Sequence, residues 1–483
     1  MILLVRLLFF IISISIVSSF TQAQVITDTT KKNLFLKETF IDSSLVKIAN
    51  ISIMGNKHTK SYIILRETQF KVGDFLQRNK LAEYFKQART QIYNTNLFIE
   101  VNMDSTFLND STIQVNVEVK ERWYIFPAPQ FALTDRSYKE WINTFNADFN
   151  RVVYGLNFKH YNFSGRRDQL DITILNGYAR NLSFSYSSPY SNSKLTKGFS
   201  IAAGITQNRE IGYKTSSNNK PLVYKNDGFV RNNYYVGAAY NWRNAFFKTT
   251  GISVGLNYTI VDDSVVNEKY NLNYFGNEKV KQFIPDFNIG VGFSNTDRNA
   301  FPLKGVQYNY GISKRGFGLS GGINNTTLYG GYAKYISHPH NFFSNIKASG
   351  ILKIPFEQAY INQRALGYSS FKLRGLELYV IDGVAAFNGK YTLSKKVLSF
   401  KIPMPFKIKE LPYIPFTFFV KAYTDVGYSY IPAQYNTKLN NRFLYTGGIG
   451  LDILSLYDLV FKIEYSFNQL RENGLFLQGG GGN

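Results

Sequence analysis

The residues of this chain that could do chemistry are few, and their spacing decides what kind. His338-Pro339-His340 is the only close pair among four histidines, with proline between them and no carboxylate nearby, so it lacks the donor set of a metal site. There is no cysteine, which removes disulfides, thiolate metal ligands, cysteine nucleophiles and a lipidated N-terminus. No nucleophile elbow, phosphate-binding glycine loop or HExxH pattern occurs, and the glycine-rich stretch Gly316 to Gly322 does not lead from an apolar strand into a helix. The sequence therefore points to no catalysis, no metal and no cofactor. Its one chemically distinctive stretch is electrostatic: Gly367 to Gly383, GYSSFKLRGLELYVIDG, with Leu373, Arg374 and Gly375 at its centre. Arginine carries five donors in a rigid fork and is always charged, so on a loop that folds inward it pins that loop to a wall carboxylate. Gly375 lets the backbone turn or approach the wall closely. The alternative is a solvated arginine in a flexible surface loop, and this stretch alone leaves both readings open.

The elements around that loop decide between them. The chain has 483 residues, 35 Tyr, 41 Phe and an aromatic fraction of 16%, a composition that suggests a membrane β-barrel more than a soluble α/β enzyme. The formal charge of +22 raises nucleic acid or anionic lipid as a partner. Residues 123–483 hold 40 Lys+Arg against 22 Asp+Glu, and residues 46–122 hold 11 against 8. The excess is scattered singly through the aromatic region, which favours lumen, loops and lipid headgroups and argues against a nucleic-acid groove. Met1 to Gln24 has a basic start at Arg6, an apolar core from Leu7 to Val17 and a small-residue end at Ala23. It reads as a signal peptide cleaved after Ala23, since serines interrupt it too often for a spanning helix. No later segment is long and apolar enough to cross as a helix, so an exported chain is either soluble outside the cytoplasm or crosses as a barrel.

After a polar linker, residues 24–45, the periodicity describes one small α/β module over 46–122. Val46 to Ile53 alternates as a strand and stops at Gly55-Asn56-Lys57, where Thr59 or Ser61 is the candidate cap of a short helix. Arg78 to Tyr93 carries Leu81, Phe85, Ala88 and Ile92 on one helical face, and strands follow over Leu97–Met103 and Thr112–Val119. The expected order is β-α-α-β-β. From 123 to 483 the pattern is different: segments of about ten residues alternate large and polar side chains between Asn, Gly, Asp and Ser clusters. About sixteen of them fill the region, as in a transmembrane antiparallel barrel whose strands satisfy lipid on one face and water on the other. A soluble all-β protein is the competing reading.

The module resembles a POTRA domain, the periplasmic unit of the BamA/TamA-type outer-membrane insertase superfamily, which joins POTRA domains to a bacterial surface antigen barrel. The resemblance rests on Gly55 and Asn56 after the first strand, Arg66-Glu67 closing the first helix, Gly73 before the second, Leu97-Phe98 opening a strand, and Val115, Val117, Val119 and Glu121-Arg122 in the last. Two barrel stretches extend it. Thr296 to Gly305, TDRNAFPLKG, is similar to the family's mid-barrel turn, with Asp297 to cap it, Arg298, Pro302 to fix φ and Gly305 to restart the strand. Leu373-Arg374-Gly375-Leu376 resembles the family's Val-Arg-Gly-aromatic motif, here between the eleventh and twelfth strands. The resemblance implies an inward-folded loop whose arginine meets an acidic wall residue. Asp425, in Tyr423-Thr424-Asp425-Val426-Gly427, is the expected partner, while Lys390 stands where a second carboxylate is usual and Leu376 stands for the aromatic.

The same resemblance implies a function. The POTRA edge would receive unfolded outer-membrane or secreted client polypeptides by strand addition. A weak seam pairing Ile125 to Leu133 with Gly474 to Gln478, short of two donors at Pro127 and Pro129, would open laterally. Pro127 and Pro129 are otherwise read as a linker outside the membrane. The expected setting is the bacterial outer membrane with the module in the periplasm, outer-membrane lipids and periplasmic or lipoprotein accessory subunits as further partners, and no nucleic acid. A two-partner-secretion translocator serving one substrate, and a passive porin or surface antigen, are the alternatives.

Overall fold

The computed structural model describes residues 45–133, 141–142, 146–276, 278–319, 322–368, 371–404, 413–432 and 437–481; the stretch expected to be a signal peptide, residues 1–23, and nearly all of the expected polar linker lie outside these. The N-terminal module is a four-stranded sheet, β1 (Leu45–Met54), β2 (Phe75–Gln77), β3 (Phe98–Asn109) and β4 (Thr112–Glu121), in the order β2-β1-β4-β3, with β1 and β4 parallel. Two helices, α1 (Ser61–Leu65) and α2 (Leu81–Tyr93), cover one face. Period-two alternation puts Val46, Ile48, Ile113, Val115 and Val117 at zero exposure, and the 3.6 period of α2 lays Leu81, Ala88 and Ile92 against them. Each buried valine, isoleucine or leucine among them contributes about 1.5–3 kcal/mol.

The module departs from expectation in two ways. β2 adds a strand between the helices, and its three residues, held by Lys47↔Phe75 and Leu45↔Gln77 pairing, are too few to show alternation. Neither Thr59 nor Ser61 caps α1: its N-cap is Lys60, with no side-chain bond. The Thr59 hydroxyl instead meets the Tyr124 hydroxyl at 3.0 Å, and its N–H donates to Glu121 at 2.6 Å.

Beyond the module lies a 16-stranded antiparallel sheet. Its strands are β5 (Ile125–Leu133), β6 (Val152–His160), β7 (Gln169–Gly177), β8 (Ala179–Ser188), β9 (Lys197–Asn208), β12 (Arg231–Ala245), β13 (Lys248–Val261), β14 (Lys281–Thr296), β15 (Gly305–Arg315), β16 (Asn325–Ser337), β17 (Phe342–Ile354), β20 (Ala385–Pro403), β21 (Tyr413–Tyr430), β22 (Phe443–Leu454), β23 (Leu459–Asn468) and β24 (Asn473–Gly481). Two small hairpins, β10 (Glu210–Thr215) with β11 (Pro221–Lys225) and β18 (Arg364–Leu366) with β19 (Ile381–Asp382), sit in connections. Along β12 and β13 the outward Tyr234, Val236, Tyr240, Val254, Leu256 and Tyr258 are exposed, as lipid-facing side chains are, while small and polar residues such as Gly237, Ala239 and Asn241 point the other way. Among the described residues no helix is long and apolar enough to cross a membrane.

The two ends of the sheet are β5 and β24, and no ladder joins them among the described residues. The expected pairing of Ile125–Leu133 with Gly474–Gln478 is therefore not formed. The last strand runs past Gln478 to Gly481, which pairs with Leu459 of β23. Pro127 and Pro129 lie within β5, opposite Phe158 and Leu156 of β6, and are not a linker. The Tyr124 carbonyl accepts from Tyr161 N–H at 2.9 Å on the β6 side, so alternation turns Ile125, Pro127, Pro129, Phe131 and Leu133 toward the seam. Prolines are tolerated there because that edge has no ladder to break.

Antiparallel alternation sends the turns 160–169, 188–197, 245–248, 296–305 and 454–459 to the end that carries the module. At the other end long connections form a cap, with Tyr274, Phe275, Tyr360 and Ile361 nearly fully buried. There Asn219 donates to Asn440 Oδ1 at 2.8 Å and to the Val380 carbonyl at 3.2 Å. One hairpin outruns its neighbours at the module end: β17 pairs β20 no further than Lys395 and β22 pairs β21 no further than Thr417. From Leu398↔Phe418, at the edge of that overlap, through Phe400↔Phe416 and Ile402↔Ile414 beyond it, the hairpin carries one apolar face.

Candidate functional site

The loop between β17 and β20 leaves the cap and descends inside the sheet. Leu366, Leu373, Leu376, Tyr379 and Ile381 are nearly fully buried along its length. Leu373 packs on Gly427 of β21, where a Cβ would come within 3.1 Å of its Cδ1. The turn at Gly375 has φ +83°, and a Cβ there would stand 2.9 Å from that of Ser466, so glycine is needed for both conformation and approach. The Gly375 carbonyl accepts from Asn468 Nδ2 at 2.9 Å, its N–H donates to Glu377 at 2.7 Å, and the Tyr379 hydroxyl reaches Glu472 at 2.7 Å.

These contacts fix Arg374 against the wall. Its Nε bonds both oxygens of Asp425, at 3.1 and 3.0 Å, its Nη2 reaches Oδ1 at 2.5 Å, and its own backbone N–H donates to Oδ2 at 2.9 Å. Nη1 donates to Thr392 Oγ1 at 3.0 Å and Nη2 to the Tyr391 carbonyl at 3.3 Å. The guanidinium lies 3.9 Å over the ring of Tyr423, a cation–π contact with an aromatic on the same strand as its carboxylate. Asp425 is fully buried and the Arg374 side chain is 13% exposed. Among the described residues no second carboxylate joins the clamp: Lys390 lies directly across the ladder from Asp425, and a hydroxyl and a carbonyl accept two further guanidinium donors. Below it Lys421, buried, bonds Asp452 at 2.5 Å and Glu464 at 2.7 Å. Sequence reading missed this triad, whose members lie on three strands and meet only through register.

The turn at 296–305 closes the module end. Asp297 Oδ1 accepts from Leu303 and Lys304 N–H at 2.9 and 3.0 Å, and Gly305 sits at φ +121° with a Cβ position 2.1 Å from the Asn295 carbonyl. Phe301 and Leu303, flanking Pro302, pack on Phe419 inside the sheet, and Arg298 lies 3.9 Å from Asp458 and 5.8 Å from the ring of Tyr93 in α2.

The POTRA-motif residues divide between holding the module together and fastening it to these turns. Gly55, at φ +90°, has its Cβ position 1.9 Å from the Val119 carbonyl; Gly73, at φ +95°, has nothing within 4 Å, so only its conformation needs glycine. Asn56 Nδ2 donates to the Thr59 carbonyl and Ser61 Oγ, both at 3.0 Å, and Phe98 is buried where β3 meets Glu121. Glu67, 3% exposed, accepts from Arg66 at 2.7 Å, from the Tyr190 hydroxyl at 2.7 Å and from Arg243 at 3.2 Å. Arg66 stacks 4.2 Å over Tyr190, whose hydroxyl also accepts from Arg167 at 2.8 Å. Burial pushes the Tyr190 phenol above its ordinary range, so it stays a donor to the carboxylate. Elsewhere Lys60 N–H donates to the Gly165 carbonyl at 3.0 Å, Asn94 to the Thr296 carbonyl at 3.1 Å, and Asn299 back to Asn94 at 2.9 Å. The barrel partners Arg167, Tyr190 and Arg243 carry no motif that would have marked them.

Residues 46–122 match the POTRA family, described as surface antigen variable number repeat. The fold of the whole resembles two solved barrels. BamA from Haemophilus ducreyi lacking POTRA domains 1–3 aligns with 90% of this chain and 84% of its own at a TM-score of 0.50 and 14% identity. CdiB from Escherichia coli aligns with 90% of this chain and 75% of its own at 0.53 and 12%. At such identities the likeness is one of fold. No curated protein matches the chain in sequence.

Proposed function

We propose that this chain, which has the POTRA-and-barrel architecture of the BamA-type outer-membrane superfamily, inserts or translocates client polypeptides across the bacterial outer membrane, its POTRA domain in the periplasm. The observation that carries the reading is the seam: two edge strands without a ladder between them, one with prolines at two of its five seam-facing positions. A lipid-exposed edge costs several kcal/mol per unpaired group, so an edge with fewer donors opens at less cost. The free edge of β3, twelve residues long at the end of its sheet, offers unpaired N–H and C=O groups on which an extended client adds as a strand. The Arg374 loop braces the lumen while the seam moves.

The absence of native cysteine makes the test direct. One cysteine in β5 and one in β24, joined through two disulfides by a short bis-methanethiosulfonate, lock the seam. Client handling should stop on locking and return on reduction, and handling that persists in the locked protein would end the lateral-opening idea. Depletion followed by outer-membrane proteomics separates the functions: loss of many barrel proteins marks an insertase, loss of one secreted protein a translocator, and loss of neither a channel or surface antigen.

A further inference from the structure

We infer that the lumen holds a binding site for an oxyanion, a phosphoryl or carboxylate group, built from Lys347 of β17, Lys390 of β20 and Lys462 of β23. All three line one cavity of about 190 Å³ beside the Arg374 clamp, with Thr392 and Asn345 as further polar lining. A water molecule's share of liquid volume is about 30 Å³, so the space takes one hydrated anionic group and not a folded segment.

The charges around the cavity do not balance. Lys347 and Lys390 are direct partners across the β17–β20 ladder, where like charges oppose each other. The charges that act on Lys347 are Lys462, Lys390 and Arg374, with Asp425 as the carboxylate among them. Asp425 is already held through both oxygens by Arg374, and Asp452 and Glu464 are held by Lys421. Among the described residues, none of the three lysines has a carboxylate within ion-pair distance, and the Lys347 ammonium lies 5.5 Å from the centre of the Tyr335 ring. Three ammonium groups with nine donors between them, with Lys372 also in the lining, thus converge on a space whose two lining acids, Asp452 and Glu464, are already held by Lys421; Glu377 acts on Lys390 from outside that lining, one of its oxygens taken by the Gly375 N–H. An oxyanion supplies what is missing, because its several acceptor oxygens bond more than one ammonium at once. Gln478 of the last strand lines the same cavity, which places the site beside the seam, where a group carried by a passing chain or diffusing through the lumen reaches it.

The test is calorimetric titration of the full-length protein in nanodiscs at low salt, with inorganic pyrophosphate as one probe and a hexaglutamate peptide as the other. The wild type should bind at least one probe at a single saturable site that weakens with salt. The Lys347→Gln/Lys390→Gln/Lys462→Gln variant should bind at least tenfold more weakly, with an unchanged heat-modifiable gel shift as the sign of an intact barrel. Without probe the variant should melt higher than wild type, since it has lost a repulsion, and pyrophosphate should raise the wild-type midpoint alone. Pyrophosphate binding without peptide binding assigns the site to a phosphoryl group. Peptide binding that pyrophosphate displaces assigns it to carboxylates carried on a polypeptide. Absence of saturable binding of either probe overturns the inference, as does binding the triple variant retains. Should the triple variant not assemble, Lys390→Gln and Lys462→Gln singly carry the same comparison.

Discussion

Arg374→Ala is the substitution that most directly tests the braced loop. Breaking a buried ion pair by removing one partner costs about 3–5 kcal/mol, because a desolvated charge is left behind. Here Asp425 is at zero exposure, and the truncation removes three guanidinium contacts to it together with those to Thr392, Tyr391 and the Tyr423 ring. The backbone N–H of residue 374 still reaches Oδ2 and stays until the loop leaves, so the low end, about 3 kcal/mol, is the better figure. At 1.4 kcal/mol per factor of ten this raises the released fraction roughly a hundredfold. Hydrogen exchange over residues 371–383, read by mass spectrometry in nanodiscs, should accelerate on that scale, while β12 to β16 keep their protection. Arg374→Lys should recover only part, since an ammonium cannot span Asp425 and Thr392 as the fork does, and Arg374→Ala/Asp425→Ala should lie closer to wild type than the sum of the single changes. Exchange within threefold of wild type in Arg374→Ala would refute the argument that this pair holds the loop.

Three further outcomes follow from the module and its fastening. Glu67→Gln removes the charge that gathers Arg66, Arg243 and Tyr190 and should weaken the module–barrel contact by about 1.5–3 kcal/mol; exchange should rise in the 188–197 turn while the β1–β4 core remains protected. Gly55→Ala meets both a left-handed φ and the Val119 carbonyl and should destabilise the module by on the order of 2–5 kcal/mol; Gly73→Ala, strained but unobstructed, should cost about 1–3 kcal/mol, the two compared by protease resistance of the module. Asp168, fully buried, is pushed up by burial, but the Ser164 N–H and the Tyr186 hydroxyl outweigh this and hold its carboxyl below the usual range. Its stabilisation is therefore complete above the ordinary pKa of about 4 and fades as pH falls through the lower folded value. The 162–168 turn should stay protected from pH 7 to 5 and open in stronger acid, a dependence that Asp168→Asn abolishes.

Much of the architecture could be read from the chain because it is periodic. Val115, Val117 and Val119 show a buried strand face, and the sixteen barrel segments repeat one alternation. β2 escaped because three residues carry no period, and the cap escaped because Tyr274, Phe275 and Asn219 sit in connections whose contacts are long-range. Arg374 and Asp425 were legible since each sits in its own short motif. Lys421, Asp452 and Glu464 were not, because lone charges on alternating strands reveal partners only once the register is known. Arg243 is 176 residues from Glu67 and meets it only because the barrel turns carry it to the module.

The hairpin of β20 and β21 bears on how the molecule sits in its bilayer. An 18-residue strand is roughly 60 Å long and a nine-residue strand roughly 30 Å at about 3.4 Å per residue, and the nine-residue strands β5, β6, β7 and β24 stand around the seam. The greasy wall is thus tall on one flank and low on another, and a slab of uniform thickness accommodates such a shape most cheaply when the cylinder leans. Because buried polar bonds weld the POTRA domain to the barrel turns, the lean would be handed on to it, and its open sheet edge would approach the membrane plane at an angle set by how long two neighbouring strands happen to be.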